Sequence, residues 1–406
     1  MKSVKGGVCA PKGFYAAGIH CGVKASSPAE KNDLMLIFSE KKCSACGMYT
    51  KNVVKAASVL LTRENLRNGA AQAVVANSGN ANACCDRSDE NARRMCAAAA
   101  EALGVNASDV AVGSTGVIGQ RINIRAIESG IQTAAAFLSR DGSDAAARAI
   151  MTTDTAKKEF AVSAVIGGKS VKIGGIAKGS GMIHPNMGTM LCFITTDCSI
   201  SKAMLKAALR EAVRVSFNRI SVDGDTSTND TCVALANGMA KNVEIRKKDE
   251  GYELFAAALT ALCVKLARAM AKDGEGAKHL ITCFVSGAKS EAQAETIGKS
   301  VIGSSLTKAA IFGADANWGR VLCAMGYSGE SFDPEKVTVS FSSGAGRITV
   351  CRAGRGLKFD EDKAKKILSE DEVVIGVKMG EGSGSATCWG CDLTYDYVKI
   401  NGDYRT

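Results

Sequence analysis

The chain has 406 residues and a formal net charge of +10, with 46% hydrophobic, 23% charged and 5% aromatic residues. This composition excludes a disordered or fibrous chain, and the length allows two domains at about 150 residues each. The basic balance invites a nucleic-acid partner, but Lys and Arg are dispersed, with no basic block and no aromatic-interleaved stripe, so the expectation is a solvated basic surface with some attraction for anionic substrates.

The opening residues, MKSVKGGVCAPKGF, lack the apolar core of a secretory signal and the Arg- and Ser-rich amphipathic character of a transit peptide. No membrane span is expected either, since the best apolar run, 254–271, is broken by Lys265 and Arg268. A cytoplasmic bacterial protein is the expectation. Along the N-terminal half, short β-branched or apolar runs alternate with Gly-rich turns. Strands are predicted at 34–38, 73–76, 110–112, 162–166 and 171–176, the last two flanking a Gly167-Gly168-Lys169 hairpin turn. The Ala-rich stretch 87–103 reads as a helix with Gly104 as its C-terminal cap, and 124–140 as a second. The run MLCFITT at 190–196 reads as a buried strand that begins directly after Gly188-Thr189.

The second half opens with predicted helices at 202–217 and 252–271. Shorter elements follow: a strand at 280–285, a helix at 291–300, strands at 337–341 and 348–351, and a helix at 361–368. The change of pattern near 275–285 places a domain boundary there, dividing the chain into 1–280 and 281–406.

Sixteen cysteines include two CxxC pairs, Cys43/Cys46 and Cys388/Cys391, which together would suffice for a four-cysteine zinc site. Others, such as Cys96, Cys192, Cys263 and Cys283, lie in apolar stretches where cysteine acts as a small hydrophobe. Reduced thiols and no metal are the expectation. The two Gly-Lys-Ser tripeptides, 168–170 and 298–300, lack the earlier glycine of a phosphate-binding loop. His20, His184 and His279 show no metal-ligand spacing, and none accompanies a Gly-x-Ser-x-Gly elbow. A nucleophile that does not depend on histidine is therefore expected.

The densest unusual segment is 174–191, GGIAKGSGMIHPNMGTML, a Gly/Ser/Pro-rich loop with one lysine, Lys178, running into a small-residue junction and a hydrophobic strand. It reads either as a long strand-to-strand loop or as a self-cleaving junction. Threonine is a weak nucleophile unless a base activates it, and cleavage between Gly188 and Thr189 would free an α-amine able to do so. A second Gly-rich turn at 113–119, GSTGVIG, is either a plain strand-to-helix turn or a source of oxyanion donors. Polar loops at 77–82 and 223–230 are of the kind that line sites; the latter lacks the position-12 glutamate of a calcium loop, where Ala234 stands.

These segments resemble the ornithine acetyltransferase/glutamate N-acetyltransferase family of arginine biosynthesis. The resemblance runs through VVANSGNAN at 74–82, VGSTGVIG at 112–119, MTTDT at 151–155, residues 175–191, SVDGDTSTND at 221–230, KDGEGA at 272–277, GADANWGR at 313–320 and the terminal WGCDLTYDYVKINGDYRT at 389–406. It implies an α/β fold, a self-cleaving N-terminal-nucleophile-like layered sandwich with a smaller C-terminal α/β domain. It also implies cleavage into an α chain, 1–188, and a β chain, 189–406, that pair as an α2β2 heterotetramer. By the same resemblance Thr189 is the nucleophile and Thr115 and Gly116 form the oxyanion hole. Substrate contacts fall on Thr152, Lys178, Thr189, Glu275, Asn401 and Thr406; register alone separates Thr152 from the adjacent Thr153. The implied substrates are N-acetylornithine and glutamate, with no cofactor; acetyl-CoA is a co-substrate for some members and not others. Of the CxxC cysteines only Cys391 lies in a family motif. Two other classes stay open: an amidase or aminopeptidase on the same self-cleaving scaffold, and an uncleaved binding protein.

Overall fold

The computed structural model describes residues 1–24, 30–184 and 190–403. Within them the α/β reading holds: two mixed sheets are covered by helices. The larger, nine-stranded sheet runs Lys2–Val4, Lys158–Ile166, Lys169–Lys178, Leu191–Thr196, Thr231–Ala236, Leu34–Tyr49, Ala70–Asn77, Val110–Ser114, with Phe14–Ile19 paired on Leu34–Tyr49. Gly167 and Gly168, at φ +55° and +73°, make the tight turn expected between the second and third of these strands. The seven-stranded sheet is built from Leu280–Ala288 onward and borrows one two-residue strand, Ile220–Ser221, from earlier in the chain.

The larger sheet curls over itself. Val110–Ser114 is four strands away from Leu191–Thr196, roughly 19 Å in a flat sheet. Yet a Cβ on Gly113 would lie 3.1 Å from the Phe193 ring and 3.6 Å from Leu191. Alternation along the strands then sorts the core. Leu191 and Phe193 face Met35, Ile37 and Val233 inside the curl, while Cys192 and Ile194 face the helices Lys202–Arg214 and Glu250–Lys272 outside it. On the other outer face Leu34, Leu36, Val75 and Val112 pack under Ser88–Leu103 and Ile124–Ala136. The curl is what brings the end of the Val110–Ser114 strand over Lys178 and residue 190.

The helices begin where the sequence supplies caps. Ser201, Asp249, Ser290 and Asp360 each accept an amide three residues on, from Met204, Tyr252, Gln293 and Lys363. The helix Glu250–Lys272 is long and apolar enough to cross a membrane by composition, but Phe255, Leu259, Leu262 and Leu266 are fully buried in the protein core. Elsewhere the elements differ from expectation. The 34–38 strand continues to Tyr49 through a bulge between Phe38 and Cys43; Ala70–Asn77 pairs with it on both sides of the bulge, while its other edge pairs first with Phe14–Ile19 and then with Thr231–Ala236. The 124–140 helix stops at Ala136, because Ser139 turns away to exchange two backbone hydrogen bonds with Ala16.

Candidate active site

Three polar loops meet at the end of the curled sheet. The Thr115 amide donates to the Asn77 carbonyl at 3.0 Å, and Asn80 bridges to both Thr115 and Val117. Asn229, from the third loop, donates through Nδ2 to the carbonyls of Ala81 and Ser114 at 2.7 and 2.8 Å. Gly116 fills a position only glycine can hold: φ is +129°, and a Cβ there would sit 2.4 Å from the Gly79 carbonyl carbon. The turn at 113–119 is thus pinned from behind, with Thr115 and Gly116 facing a cleft.

On the opposite wall the strand Lys169–Lys178 ends in Lys178, whose ammonium donates to Thr115 Oγ1 at 3.3 Å. Glu275 arrives from the turn after Glu250–Lys272. Its Oε1 accepts from the Thr153 hydroxyl at 2.7 Å and its Oε2 from Asn401 Nδ2 at 2.8 Å. Asn401 is supplied by the helix Tyr395–Asp403, near the end of the chain. Gly181 leaves room for this carboxylate, since a Cβ would meet it at 2.4 Å. Met190 and Leu191, which directly follow Thr189, line the same cleft.

Burial sets the electrostatics. It pulls Lys178 below the usual lysine range against the opposing pull of Asp154, Glu275 and Asp230. Burial alone would raise Asp154, but Lys178, Lys158 and the Gly179 amide outweigh it and hold the carboxyl at about 2. Burial also raises Asp223, against the amides of Ile183, Asp225 and Met182 that it accepts.

The cleft therefore gathers Thr115, Gly116, Thr152, Lys178, Glu275 and Asn401. Gly188, Thr189 and Thr406 lie outside the described residues. Sequence reading did not single out Asp154, Ser180 or the role of Thr153, because their partners are remote in sequence. Thr153, for example, bonds Ser180 and Glu275 across separations of 27 and 122 residues. The polarity of the 77–82 and 223–230 loops was the signal for Asn77, Asn80 and Asn229. Asp223 spends its carboxylate on backbone amides, as a loop brace does. Each CxxC pair lies in a strand, where residues three apart point to opposite faces: Cys43 and Cys46 enter different cores, as do Cys388 and Cys391. All four are free thiols.

A family model described as the ArgJ family matches residues 15–406. The arginine biosynthesis bifunctional protein ArgJ of Symbiobacterium thermophilum is 51% identical over 407 aligned residues, covering 100% of both chains. A crystal structure of the arginine biosynthesis bifunctional protein argJ from Bacillus halodurans matches with a TM-score of 0.50 and 43% identity, over 52% of this chain and 98% of that one. A crystal structure of ornithine acetyltransferase complexed with ornithine, from Mycobacterium tuberculosis, matches with a TM-score of 0.42 and 38% identity, over 47% of this chain and 99% of that one.

Proposed function

The chain belongs to the ArgJ family, and on that premise we propose that it cleaves itself between Gly188 and Thr189 and then moves acetyl from N2-acetyl-L-ornithine to L-glutamate through an acetyl-Thr189 intermediate. As a family member it is an acyltransferase of arginine biosynthesis. One observation carries the finer reading: Thr115, Gly116, Thr152, Lys178, Glu275 and Asn401, drawn from five separate segments, converge on the cleft that Met190 and Leu191 also line.

Cleavage frees the Thr189 α-amine, which takes the proton as Thr189 Oγ attacks the acetyl carbonyl. The Thr115 amide is already given to Asn77, so Thr115 serves the oxyanion through its hydroxyl and Gly116 through its amide. Lys178 occupies an acceptor site on Thr115 Oγ1, which turns the hydroxyl hydrogen away from it. One of three ammonium donors is so used, and the others suit the substrate α-carboxylate. Glu275, held from both sides, suits the substrate ammonium. Thr153 commits its hydroxyl to Glu275 and Ser180, which favours Thr152 as the substrate contact of the pair; Thr406 is kept as a contact from the resemblance alone. The ornithine amine leaves with the proton, glutamate enters, and its amine takes the acetyl group, regenerating Thr189. Acetyl-CoA as a second donor is in keeping with the word bifunctional in the relatives' names and is measured by thiol release with glutamate present.

One observation supports a cleaved chain. The solved Bacillus halodurans chain is matched over 98% of its length by 52% of this one, a share close to that of residues 189–406. The α and β chains would also stay together without a covalent link. Leu191–Thr196 is laddered onto Lys169–Lys178, and Thr231–Ala236 onto Leu34–Tyr49, so each chain supplies strands to the centre of one sheet. An α2β2 assembly of such pairs completes the proposal.

Initial rates with N-acetylornithine, with and without glutamate, test the activity. Ornithine released in step with N-acetylglutamate, with parallel double-reciprocal lines, is expected. Release at the full rate without glutamate would make the protein an amidase instead.

A further inference from the structure

Thr152, Lys178 and Glu275 come from three segments, and each lies within two residues of a buried ion network. Asp154 and Lys158 have side chains 0% and 1% exposed. Asp154 Oδ1 accepts the Gly179 amide at 2.7 Å and the Lys158 ammonium, while Oδ2 accepts the Thr152 amide at 3.1 Å. Lys158 also pairs with Asp273, which accepts the amides of Thr155 and Ala156 at 3.1 and 3.2 Å. Two residues further on, the Glu275 amide donates to the Ser180 carbonyl at 3.0 Å. The network thus clips the 152–156 segment, the end of the Lys178 strand and the turn bearing Glu275 into one unit. A buried ion set is a poor device for stability alone, because desolvation offsets most of the attraction; its better-attested use is to fix an arrangement.

We propose that Asp154 is a positioning residue for acetyl transfer: through the Thr152 and Gly179 amides it fixes the spacing of Thr152 against Lys178 and sets a buried carboxylate at the end of the Lys178 strand. The inference rests on the acetyl-transfer reading of the cleft. The charges around Lys178 are Asp154, Glu275 and Asp230, which favour its cation, and Lys158, which opposes it together with burial. Asp154, held at about 2, is ionised throughout the neutral and alkaline range. Neutralising it leaves Glu275 and Asp230 to support a buried cation beside Lys158.

The test is Asp154→Asn in the full chain, with folding checked by circular dichroism and two readouts. In lysine-15Nζ NMR, with the Lys178 signal assigned by its loss in Lys178→Arg, the titration midpoint should fall by about one pH unit or more. In kinetics, kcat/KM for N-acetylornithine should fall about tenfold to a hundredfold, with its alkaline limb moved to lower pH. A folded Asp154→Asn with an unchanged Lys178 titration and unchanged kcat/KM overturns the inference. If that variant does not fold, Asp154→Glu decides: it should keep the Lys178 titration and raise KM, and an unchanged KM overturns the positioning role. If the wild type transfers no acetyl, the functional reading fails, while the NMR titration still decides whether Asp154 holds Lys178 charged.

Discussion

Lys178 donates a 3.3 Å hydrogen bond to the hydroxyl oxygen of Thr115, joining the end of one strand to the turn that follows another 63 residues earlier. The curl of the nine-stranded sheet makes this contact, and it fixes what Thr115 can offer. With its amide on Asn77 and its oxygen facing Lys178, the remaining donor is the hydroxyl hydrogen.

Thr115→Val keeps the side-chain shape and removes that donor. Turnover should fall by about 10²–10³, the usual cost of an oxyanion donor, with KM for N-acetylornithine little changed. Thr115→Ser should keep most of the activity. Steady-state kinetics on the three proteins checks this, and a Thr115→Val enzyme with wild-type turnover would remove the hydroxyl from the mechanism.

The pH profile should be bell-shaped. On the acid side kcat/KM rises as the Thr189 α-amine loses its proton and becomes able to act as base. On the alkaline side Lys178 must keep its proton, and burial has lowered its pKa, so its charge is lost at a lower pH than an ordinary lysine's. Lys178→Met should abolish the alkaline limb along with most of the activity. A wild-type kcat/KM that stays at its plateau up to the ordinary lysine range would contradict this assignment.

Gly116 and Gly119 share a loop and both have positive φ, +129° and +81°, but only Gly116 has no room for a Cβ. Gly119→Ala should cost about 1 kcal/mol of backbone strain. Gly116→Ala should cost distinctly more, since the Gly79–Asn80 backbone 2.4–2.5 Å away must also move. Urea unfolding of the two variants measures the difference, and equal losses would mean the 77–82 loop yields freely.

Acid should weaken the fold through Asp154. Its folded carboxyl lies below the ordinary aspartate value, at about 2. Its contribution is therefore full above the unfolded pKa and is lost as pH falls through the folded one. Between those two values Asp154→Asn should show a shallower dependence of unfolding free energy on pH than the wild type. Parallel slopes would show that the carboxylate is not held low.

Legibility in the sequence followed locality. Helix Glu361–Leu368, capped by Asp360, and the hairpin at Gly167-Gly168 depend on neighbours in the chain, and both stand where local signals place them. Phe14–Ile19, FYAAGI, is a strand only because Leu34–Tyr49 pairs with it; its small residues carry no alternation. Ile220–Ser221 joins the second sheet by a two-residue pairing that no pattern marks. The site divides in the same way. The turns bearing Thr115 and Lys178 stand out by glycine content. The link from Asp154 through Lys158 to Asp273 spans 115 residues between the last two, and only the fold reveals it.

Whether Thr189 becomes an N-terminal nucleophile is read from intact mass under denaturing conditions, on the wild type and on Thr189→Ala. Two fragments are expected in the wild type, residues 1–188 and 189–406, and a single chain in the variant. A single uncut chain in an active wild type would contradict that role, since Thr189 would then have no free α-amine to act as base.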